Sequence, residues 1–202
     1  MGKMKIFFET ERLSIRSAEE RDKEAYMCLR EEVSQISKAY RKKPEFRDYV
    51  WDKEFNSESD IFMTAFLKES GSLTAIGSFQ NYEEDCIELG FDVAGRYRKR
   101  GLATELVRGM LREARILFPG KAVKLKTLVT NAACRRVAEK CGGVLAGYEP
   151  TPTAVSAAAF LEKYGHETAD GTEFLKLKER YADYIEENKT GVCVYVFEAP
   201  TV

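Results

Sequence analysis

After residue 101 the apolar positions recur every three or four residues. Leu102, Leu106, Met110 and Ala114 form one stripe, with Ala103, Val107, Leu111 and Leu117 beside it. This spacing predicts an amphipathic helix with one face on a core, and Pro119-Gly120 ends it. Elsewhere apolar and polar residues alternate, or form short apolar runs between turn residues, as in strands. Strands are predicted at Ile61–Leu67 and Leu73–Phe79, joined by the turn Glu69-Ser70-Gly71-Ser72, then at Ile87–Val93, Val123–Val129, Val144–Tyr148 and Val192–Phe197. Ile6-Phe7-Phe8 and Leu13–Arg16 together suggest a first strand. Ser17 followed by Glu19-Glu20 reads as a capped helix start, and Tyr26, Leu29 and Val33 give that helix an apolar face. A second helix is expected after Pro44, and a third, short one from Asn131, closed by Gly142-Gly143. Between residues 150 and 191 lie an apolar piece, Ala154–Tyr164, and a charged amphipathic piece, Glu173–Asn188.

The chain has 202 residues, enough for one domain with a substantial core. At 44% hydrophobic and 32% charged residues it reads as soluble and globular, and a net charge of −1 gives no overall attraction to nucleic acid or to an anionic membrane. The cysteines, Cys28, Cys86, Cys134, Cys141 and Cys193, are odd in number and scattered. They suggest neither a disulfide framework nor a zinc site, so a reducing cytoplasm is the default compartment and no metal is expected. A single histidine, His166, argues against metal centres and histidine-dependent triads. The first ten residues resemble neither a signal peptide nor a spanning helix.

Arg98-Lys99-Arg100-Gly101-Leu102-Ala103-Thr104 joins the strand ending at Val93 to the long helix. The first turn of a helix carries unpaired N–H groups and a partial positive charge, which suit phosphate. Gly101 lets a ligand come close to the backbone. Neither the P-loop pattern nor the dinucleotide Gly-x-Gly-x-x-Gly is present. A basic turn capping an ordinary helix, or an RNA patch built on Arg96, Arg98, Lys99 and Arg100, are the alternatives.

The pattern Arg98-x-x-Gly101-x-Ala103 resembles the acetyl-coenzyme-A loop of the GNAT acetyltransferases. Glu11-Arg12-Leu13-Ser14-Ile15-Arg16, Glu88-Leu89-Gly90-Phe91, and Asn131-x-x-Cys134 followed by Glu139-Lys140-Cys141-Gly142 resemble motifs of that family's ribosomal-protein-alanine acetyltransferase branch, in the same order. The resemblance spans residues 9–149 and the last strand. It implies an α+β fold: a mixed, mostly antiparallel sheet of about seven strands, flanked by helices, with one parallel pair that parts. The whole chain, 1–202, would be a single domain with a helical insert at about 150–191.

The implied activity is N-acetyl transfer from acetyl-CoA to a primary amine, on a protein N-terminus or a small molecule, by direct attack in a ternary complex. Arg98 to Thr104 would hold the pyrophosphate, and Phe91, Asp92 and Val93 would pair with the pantetheine arm. Asn131 would cap its helix, contact the arm, or do both. An attacking α-amine has a pKa near ~8 and a lysine amine near ~10.4, so a base is needed. Glu88 is the first candidate, with Glu83, Glu84 and Asp85 as rivals. Cys134 stands where the branch has a serine and would protonate the leaving thiolate, unless it is simply core; an acetyl-cysteine route is the minor alternative. A non-catalytic acyl-CoA sensor remains a competing reading. The insert could be a lid, a homodimer arm or part of the acceptor pocket.

Overall fold

The computed structural model describes residues 4–33, 43–164 and 172–198; His166 lies outside them. Eight strands form one sheet: β1 (Phe7–Glu9), β2 (Leu13–Ser17), β3 (Ile61–Leu67), β4 (Leu73–Gln80), β5 (Cys86–Val93), β6 (Ala122–Leu128), β7 (Val144–Glu149) and β8 (Val192–Phe197). Their order is β1-β2-β3-β4-β5-β6-β8-β7. Only β5 and β6 run parallel; every other neighbouring pair is antiparallel. The helices are α1 (Lys23–Val33), α2 (Pro44–Phe55), α3 (Leu102–Leu117), α4 (Ala132–Lys140), α5 (Pro152–Tyr164) and α6 (Thr172–Asn188).

Two local expectations are corrected. The N-terminal segment is a hairpin of two strands, which raises the expected seven strands to eight, with Phe8 opposite Ile15. Ser17 does not cap α1: it belongs to β2, and its hydroxyl accepts the Ile6 N–H at 2.8 Å. The helix entry instead uses Asp22, whose carboxylate accepts the Glu19 N–H (2.8 Å) and a two-pronged contact from the Arg16 guanidinium (2.6 and 2.8 Å). A carboxylate so paired can be buried, as Asp22 is.

The predicted stripe of α3 packs on one face of the sheet. Leu102, Leu106, Val107, Met110, Leu111 and Ala114 meet Ile15, Met63, Ala75, Phe79 and Leu89 there. On the opposite face α1 and α2 bring Tyr26, Met27, Leu29 and Trp51 against Ile76 and Ala94. Strand β4 is therefore covered on both sides, and its interior is buried from Thr74 to Phe79. Helices α5 and α6 pack on each other, with Phe160 and Tyr181 in contact at 5.6 Å. Among the described residues no helix is long and apolar enough to cross a membrane.

Leu106 is fully buried between α3 and the sheet. Leu106→Ala is expected to lower unfolding free energy by about 2–5 kcal/mol, through lost transfer energy and a residual cavity; urea denaturation at constant m-value measures it.

Candidate active site

The parallel pair β5–β6 is short. Its ladder runs through Cys86–Ala122, Ile87–Val123 and Glu88–Lys124 and ends there, while β5 continues to Val93 and β6 to Leu128. Beyond Glu88 the two strands part, each still held by its outer neighbour. On β5 the Ala94 N–H reaches back to Thr74 O at 3.0 Å. Strand alternation then turns the main-chain groups of Asp92 and Gly90 toward β4, and those of Phe91 and Val93 into the gap. So the main-chain groups of Phe91 and Val93 face the gap, where Val93 O is met by the Arg98 side chain, whereas Asp92 is in the ladder opposite Ile76.

At the wide end of the gap lies the loop before α3. Gly101 is the N-cap of α3 and has φ +81°, where glycine is favoured; Lys99 has φ +61°. No side chain caps the helix, and the first main-chain bond back is Glu105 N–H to Gly101 O at 3.1 Å. Among the described residues no acceptor meets the N–H groups of residues 99–104. A row of unmatched donors at a helix start suits an anion. The side chains of the segment divide their tasks. Leu102 is buried in the core, Ala103 packs against it, and the Thr104 carbonyl accepts the Cys141 thiol at 3.6 Å. Arg100 lies with its guanidinium over the Tyr97 ring. Arg98 is turned back toward β5, its Nε donating to Val93 O at 3.1 Å, so its link is to the gap rather than to the helix start.

Sequence reading missed what fixes the loop. Arg12, in the turn between β1 and β2, donates through Nη1 to Arg100 O at 2.9 Å. Its Nε and Nη2 lie 2.7 and 2.6 Å from Glu105 Oε2. Glu105 Oε1 also accepts the Arg12 N–H (2.7 Å) and the Thr10 hydroxyl (2.6 Å). Burial pushes the Glu105 pKa up, but these hydrogen bonds and the Arg12 charge outweigh it and leave the carboxyl below its usual value. The signal was in the sequence as an acidic residue one turn into α3, but nothing there paired it with Arg12.

On the α3 side of the gap, the Asn131 side chain caps α4 by accepting the Cys134 N–H at 3.1 Å. Its capping role is thus occupied. The Cys134 thiol is half-buried beside Thr127; burial raises its pKa, the Asp92 charge adds to this, and a hydrogen bond with Thr127 opposes it. At neutral pH the group is a thiol. Across the sheet, Glu88 lies 3.6 Å from Lys126 Nζ, which is 2.7 Å from Glu149.

A cavity of about 620 Å³ opens on the α1–α2 face, over β4 and β5. Gly90 and Asp92 line it, with Tyr26, Arg30 and Glu54 from the helices. Glu54 accepts the Tyr26 hydroxyl (2.6 Å) and the Arg30 guanidinium (2.7 Å). Asp92 has one long contact, 3.5 Å from Arg30. Burial raises the Asp92 pKa against the pull of Arg30 and Arg98. A Cβ at Gly90 would sit 2.6 Å from Ser78 Oγ and 3.2 Å from Gln80 Nε2, so both side-chain ends would have to move. None of the described residues of the 150–191 insert lines this cavity. No group of three or more metal-ligating side chains occurs among the described residues.

Residues 12–144 match the sequence model of the Acetyltransferase (GNAT) domain. This chain belongs to the GNAT acetyltransferase family. Solved structures share its fold at low identity. An acetyltransferase (GNAT family) from Bacillus anthracis is 19% identical, with a TM-score of 0.60, covering 95% of this chain and 98% of that one. A ribosomal L7/L12 alpha-N-protein acetyltransferase in complex with coenzyme A is 12% identical, with a TM-score of 0.64 and coverage of 95% and 97%. A spermidine N-acetyltransferase from Vibrio cholerae, in complex with CoA and spermine, is 14% identical, with a TM-score of 0.62 and coverage of 92% and 95%. No curated protein sequence matches the chain.

Two outcomes are expected. A Cβ at Gly101 would meet only Arg12 Nη2, at 3.4 Å, so Gly101→Ala acts through its positive φ; it is expected to cost about 1–2 kcal/mol in thermal or urea unfolding. The depressed pKa of Glu105 means its stabilising effect is complete above the ordinary carboxylate value, near ~4.3, and is lost as pH falls through the lower folded value. Urea midpoints measured from pH 7 to pH 3 should therefore fall less steeply for Glu105→Gln than for the parent.

Proposed function

We propose that this protein moves the acetyl group of acetyl-CoA to a primary amine by direct attack in a ternary complex. The observation that carries the reading is the opening of β5–β6 after Glu88 and Lys124, with the unmatched N–H groups of residues 99–104 at its mouth. A pyrophosphate suits that row of donors. The pantetheine arm then lies along β5 and pairs with Phe91 and Val93 as an added strand. Its approach displaces Arg98 Nε from Val93 O and frees that guanidinium for a phosphate. Lys99 and Arg100 supply further positive charge at the exposed rim.

The arm points the thioester toward the narrow end of the gap, beside Gly90. The amine comes from the cavity on the α1–α2 face. Its neutral nitrogen attacks the carbonyl carbon, the new C–N bond forms, and the C–S bond breaks as the tetrahedral adduct collapses. The proton leaving nitrogen goes to Glu88, on the same sheet face and two residues from Gly90. The departing thiolate takes a proton from the Cys134 thiol, which recovers it from solvent. Burial keeps Cys134 protonated, which suits a donor and disfavours the acetyl-cysteine route, since the thiolate is the nucleophilic form. The acceptor is a small-molecule amine or a protein N-terminus. The five free cysteines suit a reducing cytoplasm.

Calorimetry with coenzyme A, followed by free-thiol release with acetyl-CoA and an amine panel, tests this. Micromolar binding and amine-dependent thiol release are expected. Glu88→Gln should lower kcat by about 10²-fold or more while coenzyme A affinity holds. Binding without release for any amine would leave a sensor; absence of coenzyme A binding would remove the reading altogether.

A further inference from the structure

The cavity that opens beside Gly90 has an uneven chemistry. Its body is aromatic, with Tyr26, Phe46, Tyr49 and Phe62 among the lining residues. Three carboxylates line it, Glu54, Asp60 and Asp92, but two are already engaged. Glu54 is matched by Tyr26 and Arg30. Asp60 accepts the hydroxyls of Ser57 and Ser59, at 3.0 and 3.3 Å, and the Asn81 N–H at 2.9 Å, so it closes the turns on either side of β3. Asp92 alone has capacity to spare, with its single 3.5 Å contact to Arg30. The chain between α1 and α2, residues 34–42, contains no Asp or Glu that could add another.

We propose that the acceptor is a monocationic primary amine with a compact apolar or aromatic body, seated in the cavity between α1, α2, β4 and β5 with its nitrogen on the Asp92 carboxylate. This rests on the acetyltransferase reading and specifies the substrate class of that site. Asp92 and Glu88 are both two residues from Gly90 on the same face of β5, so each carboxylate stands about 6–7 Å along the strand from the bare step. Asp92 thus draws the ammonium into the cavity; one proton passes from it to water before the neutral nitrogen moves along the strand to the thioester beside Gly90, where the second proton lost goes to Glu88. The aromatic lining takes the apolar body and contributes ring faces to the cation. A polyamine is a poor fit, because each further ammonium needs its own anion and the described lining residues offer none free. That separates this protein from the spermidine N-acetyltransferases that share its fold.

The test is calorimetry on the full chain, with and without coenzyme A, using 2-phenylethylamine, 2-phenylethanol, spermidine and an alanyl tripeptide. The amine is expected to bind roughly tenfold or more tightly than the alcohol of the same shape, as a charge-assisted contact requires. It should also bind tighter than spermidine or the tripeptide. Asp92→Asn should remove that preference for amine over alcohol and Asp92→Glu restore part of it, with coenzyme A affinity unchanged in both. Equal binding of amine and alcohol by the parent protein, tighter binding of spermidine or tripeptide, or an unaltered preference in Asp92→Asn each overturns the proposal; so does a protein that binds coenzyme A and none of these amines. Loss of coenzyme A binding alone, with Asp92-dependent amine binding intact, would instead sink the acetyl-transfer reading and leave the cavity assignment standing.

Discussion

The molecule is organised around a sheet that is deliberately left unfinished. Two parallel strands share three paired positions and then diverge, so a run of main-chain donors and acceptors in the middle of the sheet has no strand partner on one side among the described residues. Buried backbone groups of this kind are costly unless water or a ligand completes them. What keeps the strands apart is their outer pairing: β5 is zipped to β4 as far as Val93, and β6 to β8 as far as Leu128. The right-handed twist of each half can then diverge without breaking either. Arg98, laid on Val93 O, partly fills the vacancy.

A gap needs a mouth of fixed shape, and the N-terminal hairpin supplies it. Arg12 grips the Arg100 carbonyl and Glu105 together, while Thr10 holds the same carboxylate from the other side. Thus the edge of the sheet most distant in sequence positions the turn on which α3 begins. Four charge-assisted contacts on one carboxylate give more rigidity than a surface ion pair would. The dihedral demand at Gly101 and the positive φ of Lys99 are sustained by this brace.

Most of the architecture could be read from periodicity. The α3 stripe, the Pro44 helix start and the strands from Ile61 onward emerge within a residue or two of their observed limits. Signals carried by local spacing survive because the α3-side face of β4, with Ala75 and Phe79, and the inner face of α3 pack into one apolar core. Ser17 misled because two polar options competed, and a strand partner eleven residues upstream took its hydroxyl. The N-terminal hairpin was compressed into one strand because three residues are too few to show alternation. Within the candidate site, the loop and the Phe91 and Val93 backbone were legible through motif resemblance. The Arg12–Glu105 brace and the Asp92 cavity were not, since both depend on residues 60 to 95 positions apart that only tertiary contact unites. Asp92 in particular was placed with the arm-binding strand, whereas its main-chain groups face β4 and it lines the cavity on the α1–α2 face.

Gly90 marks the border between two kinds of recognition. On one side the proposed cofactor contacts are almost all peptide groups, which every amino acid possesses, so the sequence there can drift widely so long as the backbone keeps its path. On the other side the proposed acceptor would meet side chains, where one replacement alters charge or shape. Side-chain contacts of such a scaffold can therefore change without disturbing its backbone path, and proteins sharing barely an eighth of their residues can retain a common fold.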